Sequence, residues 1–144
     1  MKISVQIKKL DDKAVVPVYQ SREASGFDFH AIENVTLKAG ERALIATGIS
    51  MALSFGYELQ IRPRSGLAYK HGITVLNAPG TIDSDYRGEV KILLINHGTE
   101  DFSVNEGERI AQGVIQEVTQ AKFFEVDELE DTDRGASGFG STGI

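Results

Sequence analysis

Apolar residues return at every second position along most of the chain, and no stretch sustains helical spacing. That combination restricts the fold to β-sheets packed face to face or closed on themselves. The alternation runs from Ile3 to Ile7, Val35 to Leu37, Ala43 to Ile45, Ile49 to Leu53, Tyr57 to Ile61, Ile73 to Leu76, Val90 to Ile95 and Ile110 to Val118. Turns rich in Gly, Asn, Asp or Pro divide these segments, as strand boundaries require. Only Ser65-Gly66-Leu67-Ala68-Tyr69-Lys70 has the character of a single helical turn, with Ser65 able to cap it. The pattern predicts an all-β sandwich, jelly roll or small barrel without internal repeats.

A chain of 144 residues is long enough for one such domain with a real core. Its formal charge of -6 argues against non-specific binding to nucleic acid, so any phosphate it handles belongs to a small ligand. Cysteine is absent, which excludes disulfides and thiolate metal sites. The amino terminus, Met1 to Ile7, alternates as a strand does instead of forming the apolar core of a signal peptide, and no apolar run is long enough for a bilayer. A soluble, cytoplasmic protein without a membrane partner is expected.

Past residue 124 the alternation ends. Glu125 to Asp133 holds six acids in nine positions and reads as a linker, so that residues 1–124 form a β domain and residues 125–144 the acidic linker and a glycine-rich arm. The arm itself is Arg134-Gly135-Ala136-Ser137-Gly138-Phe139-Gly140-Ser141-Thr142-Gly143-Ile144. Its four glycines, with serines and a threonine, give a flexible backbone rich in amide and hydroxyl donors. Arg134 adds a cation suited to phosphate, and Phe139 is a lone ring with no apolar neighbour to join in a core. Two readings stand: a nucleotide lid, or a frayed glycine-serine tail.

Two further segments carry chemistry. Gly80-Thr81-Ile82-Asp83-Ser84-Asp85-Tyr86-Arg87-Gly88-Glu89-Val90 sets two carboxylates and a tyrosine at a hairpin tip between apolar strands. It is either a solvated turn in which Asp85 caps its own backbone or, because Ile82-Asp83 lies at a strand end, the rigid mount of a general base. Pro63-Arg64-Ser65-Gly66-Leu67-Ala68 is either an ordinary capped turn or a place where free N–H groups, a hydroxyl and a guanidinium converge on one phosphate. His30, His71 and His97 match no metal-ligand spacing and read as surface or turn residues.

Together these segments resemble the homotrimeric dUTP diphosphatases, the dUTPase family. All five of that family's motifs occur in order: Ala24-Ser25-Gly26-Phe27-Asp28-Phe29, Pro63 to Ala68, Gly80 to Val90, Gly107-Glu108-Arg109-Ile110-Ala111-Gln112, and Arg134 to Gly143. Phe29 stands where leucine is expected and Ser25 where alanine is frequent, and both leave Asp28 in place.

The resemblance implies a jelly-roll-like β-barrel or sandwich that assembles as a homotrimer, with each site built from three chains. One would give motifs one, two and four, a second motif three, and the third its arm. Water would attack the α-phosphorus of dUTP, with Mg2+ on the triphosphate, giving dUMP and pyrophosphate. Such a reaction lowers dUTP, limits uracil in DNA and supplies dUMP for thymidylate synthesis. Asp83 would be the base. Tyr86 would pack on the deoxyribose, while Asn77 and the backbone around Thr81, Ile82 and Lys91 would read the uracil edge. Arg64, Ser65, Gly66 and Gln112 would hold phosphates and the attacking water, and Asp28 would meet the metal through water. In the arm, Arg134, Ser141 and Thr142 would grip the terminal phosphate and Phe139 would stack over the uracil, with Gly140 among the substrate-binding residues.

Elementary chemistry is consistent with those roles. A site fixed to satisfy uracil's hydrogen-bond polarity leaves buried groups unpaired against cytosine. A tight backbone pocket rejects the thymine methyl by sterics. The triphosphate's charge requires Arg64, Arg134 and Mg2+, since partly desolvated charge without partners is costly. A dCTP deaminase of related fold would need a glutamate on the strand after the hairpin and an arginine after the short turn. Here those positions hold Leu93 and Tyr69. A nucleotide-binding regulator without catalysis would not need Asp83, Gln112 and a complete arm.

Overall fold

A computed structural model describes residues 2–143; Met1 and Ile144, the outer ends of the expected first strand and of the arm, lie outside the described residues. Ten strands and one short helix follow in order: β1 (Gln6–Lys9), β2 (Phe27–His30), β3 (Val35–Leu37), β4 (Arg42–Ala52), β5 (Tyr57–Arg62), α1 (Ser65–His71), β6 (Ile73–Val75), β7 (Gly80–Asp83), β8 (Glu89–Asn96), β9 (Phe102–Val104) and β10 (Arg109–Glu117). One four-stranded sheet runs β1-β4-β8-β6, a second β2-β10-β5-β7, and β3 pairs with β9. Every pairing is antiparallel. The architecture is the expected jelly-roll-like β fold.

The core lies between the inner faces of the two large sheets. Ile92 and Leu94 of β8 and Ile45 of β4 meet Phe29 of β2 and Leu59 and Ile61 of β5, all buried. Each such side chain contributes about 1.5–3 kcal/mol relative to solvent exposure. Gly113 of β10 has its Cα where Phe27, Phe29 and Leu59 converge, since a Cβ there would stand 2.7 Å from the Phe27 ring, 2.8 Å from the Phe29 ring and 2.9 Å from Leu59 Cδ1. Asn96, a buried polar residue, is satisfied: Nδ2 donates to the carbonyls of Leu37 at 2.9 Å and Glu100 at 2.8 Å, and Oδ1 accepts from the Gly98 amide at 2.8 Å.

Several sequence expectations need correction. Ala43–Ile45 and Ile49–Leu53 are one strand, β4, whose register with β8 shifts between Ala46 and Ser50. The break in alternation is a bulge: Gly48 adopts φ 67°, and the Glu89 carboxylate accepts its amide at 2.9 Å. The first strand begins at Gln6 instead of Ile3, where it can pair with Ala52. β2 and β9 were not among the expected strands. Ser65 does not cap α1: Arg64 holds the cap position in extended conformation, without a side-chain cap bond, and Ser65 is the first helical residue. Motif three is not a paired hairpin either. β7 edges one sheet, next to β5, and β8 lies inside the other.

Candidate active site

Asp28, Arg64, Arg109 and Gln112 converge on the outward face at one edge of the second sheet. β2 and β10 place Asp28 directly opposite Gln112, and cross-strand partners share a face. Asp28 Oδ1 lies 3.4 Å from Arg64 Nε, and Oδ2 lies 3.4 Å from Arg109 Nη1. Arg64 Nη1 also donates to the Arg109 carbonyl at 3.2 Å, and Gln112 Nε2 to the Pro63 carbonyl at 3.0 Å. Two guanidiniums against one carboxylate leave a local positive excess on an acidic protein, the arrangement that attracts a polyanion. The open first turn of α1 puts Ser65 and Gly66 beside it, both exposed. A hollow of about 440 Å³ lined by His30, Arg64, Leu67 and Arg109 adjoins the cluster.

His30 departs from its expected surface position. It sits in β2 opposite Arg109, partly buried, with Nδ1 fully buried and unpartnered among the described residues. Burial holds its imidazole below the usual range; Asp28 pulls the other way, and the two arginines add to the depression. His71 and His97 are exposed, as expected.

A second group gathers at the opposite edge. Thr81, Ile82 and Asp83 of β7, Tyr86 of the crossing segment and Lys91 of β8 line a cleft of about 310 Å³ with Leu44 and Glu89. Asp83 is the last residue of β7, and the Tyr86 amide donates to its carbonyl at 3.1 Å, closing a turn that fixes the backbone beneath the carboxylate. The Tyr86 hydroxyl donates to the Glu89 carbonyl at 3.1 Å. Its ring lies across Gly88, where any Cβ would collide with it. Asn77 precedes the cis Ala78–Pro79 bond, and its amide lies over Gly80, 3.4 Å from where a Cβ would stand.

Asp83 and Gln112 share a sheet face and stand well apart. Gln112 pairs with Arg62 of β5, whereas Asp83 pairs with Glu58, four residues further along the same strand. Two strand spacings across and four residues along put Asp83 roughly 17 Å from Gln112. Nor does the arm approach either group. Its hydrogen bonds are local, as from Arg134 Nε to the Ser137 carbonyl at 2.9 Å and from the Gly143 amide to the Gly140 carbonyl at 2.9 Å. Arg134, Phe139, Gly140, Ser141 and Thr142 are exposed, and the Phe139 ring wholly so.

Sequence reasoning gave no role to Arg109, Gly26, Gly88 or Leu44. Gly26 matters because a Cβ there would stand 2.6 Å from Gln112 Oε1. The signal for Gly26, Gly88 and Arg109 was their membership of motifs; for Leu44, remote in sequence, there was none. As for metal, no group of three or more carboxylates and imidazoles among the described residues is arranged to hold an ion. Both oxygens of Asp28 already face guanidiniums. This donor set does not suit an ion caged by protein and does suit one carried by a triphosphate.

The dUTPase family model matches residues 12–143. The deoxyuridine 5'-triphosphate nucleotidohydrolase of Nautilia profundicola is 64% identical over 141 residues, covering 98% of this chain and 99% of the relative. Among solved structures, the Staphylococcus bacteriophage 80alpha dUTPase with dUpNHpp superposes with a TM-score of 0.91 at 26% identity, covering 99% of this chain and 100% of that one. A variant of the dUTPase from phage phi11 of S. aureus, described with a coordinated structural Mg(II) ion, shares the fold at a TM-score of 0.83 and 23% identity, covering 90% of this chain and 100% of the other.

Proposed function

The chain belongs to the dUTPase family and hydrolyses dUTP; we propose that Asp83 is the general base, activating a water for attack on the α-phosphorus to release dUMP and pyrophosphate. The observation that carries this reading is the separation of the two groups. A base must come within hydrogen-bond reach of its water, and that water must lie against the phosphorus. Asp83 and Gln112 of one chain, roughly 17 Å apart, cannot meet at one phosphorus. The site is therefore shared: Asp28, Arg64, Ser65, Gly66 and Gln112 of one chain face motif three of a second, and the arm of a third closes over both. A homotrimer satisfies this with every site equivalent.

The roles follow from the local chemistry. Arg64, supported by Asp28, takes a phosphate with its fork of N–H donors, alongside the hydroxyl of Ser65 and the amide of Gly66. Gln112 orients the water through the close approach that Gly26 permits. Thr81, Ile82 and Lys91, with Asn77, offer fixed backbone and amide groups to the uracil edge. Tyr86, held over Gly88, fills the space a 2'-hydroxyl would need. Arg134, Ser141 and Thr142 bind the terminal phosphate, and Phe139 with Gly140 covers the base. Mg2+ carried by the triphosphate would neutralise phosphate charge, and Asp28 would reach it only through water. A deaminase role lacks its machinery, since Leu93 and Tyr69 offer neither carboxylate nor guanidinium.

Hydrolysis in 18O-labelled water tests the bond attacked. Label is expected in dUMP and absent from pyrophosphate; label in pyrophosphate would place the attack on the β-phosphorus and remove Asp83 from the assigned position.

A further inference from the structure

Tyr69 is 92% exposed on α1, a large ring with almost no contact to its own chain. Single exposed aromatics are ordinary, so its position carries the argument. Leu67 packs against the core, and His71 one turn later lies against Phe102 with ring centres 5.1 Å apart and planes tilted by 48°, so those two mark the side of α1 that faces the body. At about 100° per residue, Ser65, Gly66 and Tyr69 fall on the opposite side, with Tyr69 between the other two. The helix face that offers Ser65 and Gly66 to phosphate therefore carries a phenol ring one turn further on.

We propose that Tyr69 is a positioning residue on which the arm of another chain lands, its ring face receiving the guanidinium of Arg134. The proposal rests on the shared-site reading above. Arg134 is the only cation of the arm, and it follows six acids in the nine positions of residues 125–133. A segment with that charge gains little by approaching a triphosphate unless Arg134 is guided there. A carboxylate at position 69 would attract the guanidinium but repel the phosphates. A ring face attracts the guanidinium through its quadrupole, adds no charge, and leaves the N–H edges free for phosphate. The other large group of the arm, Phe139, belongs over the uracil and so cannot be the partner.

The test is a double-mutant cycle in the full-length enzyme, read as kcat/KM for dUTP with the assembly checked by mass. Tyr69→Ala should lower kcat/KM by about two- to fivefold, the worth of a solvent-exposed cation–π contact. Tyr69→Phe should match the wild type, because the ring and not the hydroxyl is used. In an Arg134→Ala background, Tyr69→Ala should cost nothing more. A parallel readout is trypsin cleavage after Arg134: dUpNHpp should protect this bond in the wild type and in Tyr69→Phe, and less in Tyr69→Ala. The proposal fails if Tyr69→Ala leaves kcat/KM unchanged, if Tyr69→Phe is as impaired as Tyr69→Ala, or if the loss persists in full without Arg134. An Arg134→Ala enzyme with wild-type kcat/KM would be a different failure, removing the arm's phosphate role and with it the premise.

Discussion

Asp83 ends a strand, anchored by the turn bond from the Tyr86 amide, with its carboxylate in solvent. A carboxylate so mounted would lose little orientation on meeting a water in the proposed base role. Asp83→Asn preserves shape and removes the proton acceptor, so turnover should fall by about a hundred- to ten-thousand-fold while dUTP still binds. Steady-state rates together with calorimetric binding of dUpNHpp check this; wild-type turnover would take the base role from Asp83. The sugar discrimination proposed for Tyr86 belongs to the same scale. Tyr86→Ala opens the space above Gly88, and the ratio of kcat/KM for dUTP over UTP should fall; a constant ratio in an intact assembly would mean that ribose is excluded elsewhere. Asp83 could be singled out from sequence by its carboxylate at a strand end, whereas the sugar role of Tyr86 was implied by the resemblance alone. Gly26 and Arg109 could not be singled out, since a glycine that makes room for Gln112 and an arginine that braces Asp28 act only through neighbours brought close by folding.

At the scale of elements, alternation located most strands to within a residue or two and failed where the chain departs from regular pairing. β4 appeared as two strands because its bulge at Gly48 resets the period. The crossing of motif three between sheets could not be read locally, because a turn between two apolar runs looks the same whether or not the runs pair. β10 shows how an element's interior supports the site. Gly113 allows Phe27 and Phe29 to close over the strand that presents Gln112 on its other face. Gly113→Ala would push a methyl into those rings and should destabilise the fold by about 1–3 kcal/mol, as overpacking does. A fall in Tm on thermal unfolding, with the oligomer otherwise intact, is the expected result. An unchanged Tm would show that the two sheets separate more easily than this packing implies.

For the whole molecule the question is how the separated groups proposed for one site would come to meet one substrate. The core ends with Val114, and the exposed chain beyond residue 118 runs through the acidic linker to an arm whose hydrogen bonds are all local. Among the described residues the arm's hydrogen bonds stay within the arm and its linker, and Asp83 stands across the sheet from Gln112. If base and arm reach a given site from different chains, Asp83→Asn and a protein ending before Arg134 should each be nearly inactive alone. Refolded together in equal amounts, they should recover activity. Each site draws its base and its arm from separate members of a closed ring, so roughly a quarter of the sites would hold both intact. Mass measurement should first show that mixed trimers have formed, and dUTP hydrolysis then reports on the sites. Mixed trimers no more active than their separate parents would mean that the arm closes over the Asp83 of its own chain or is dispensable, and the three-chain site would have to be abandoned.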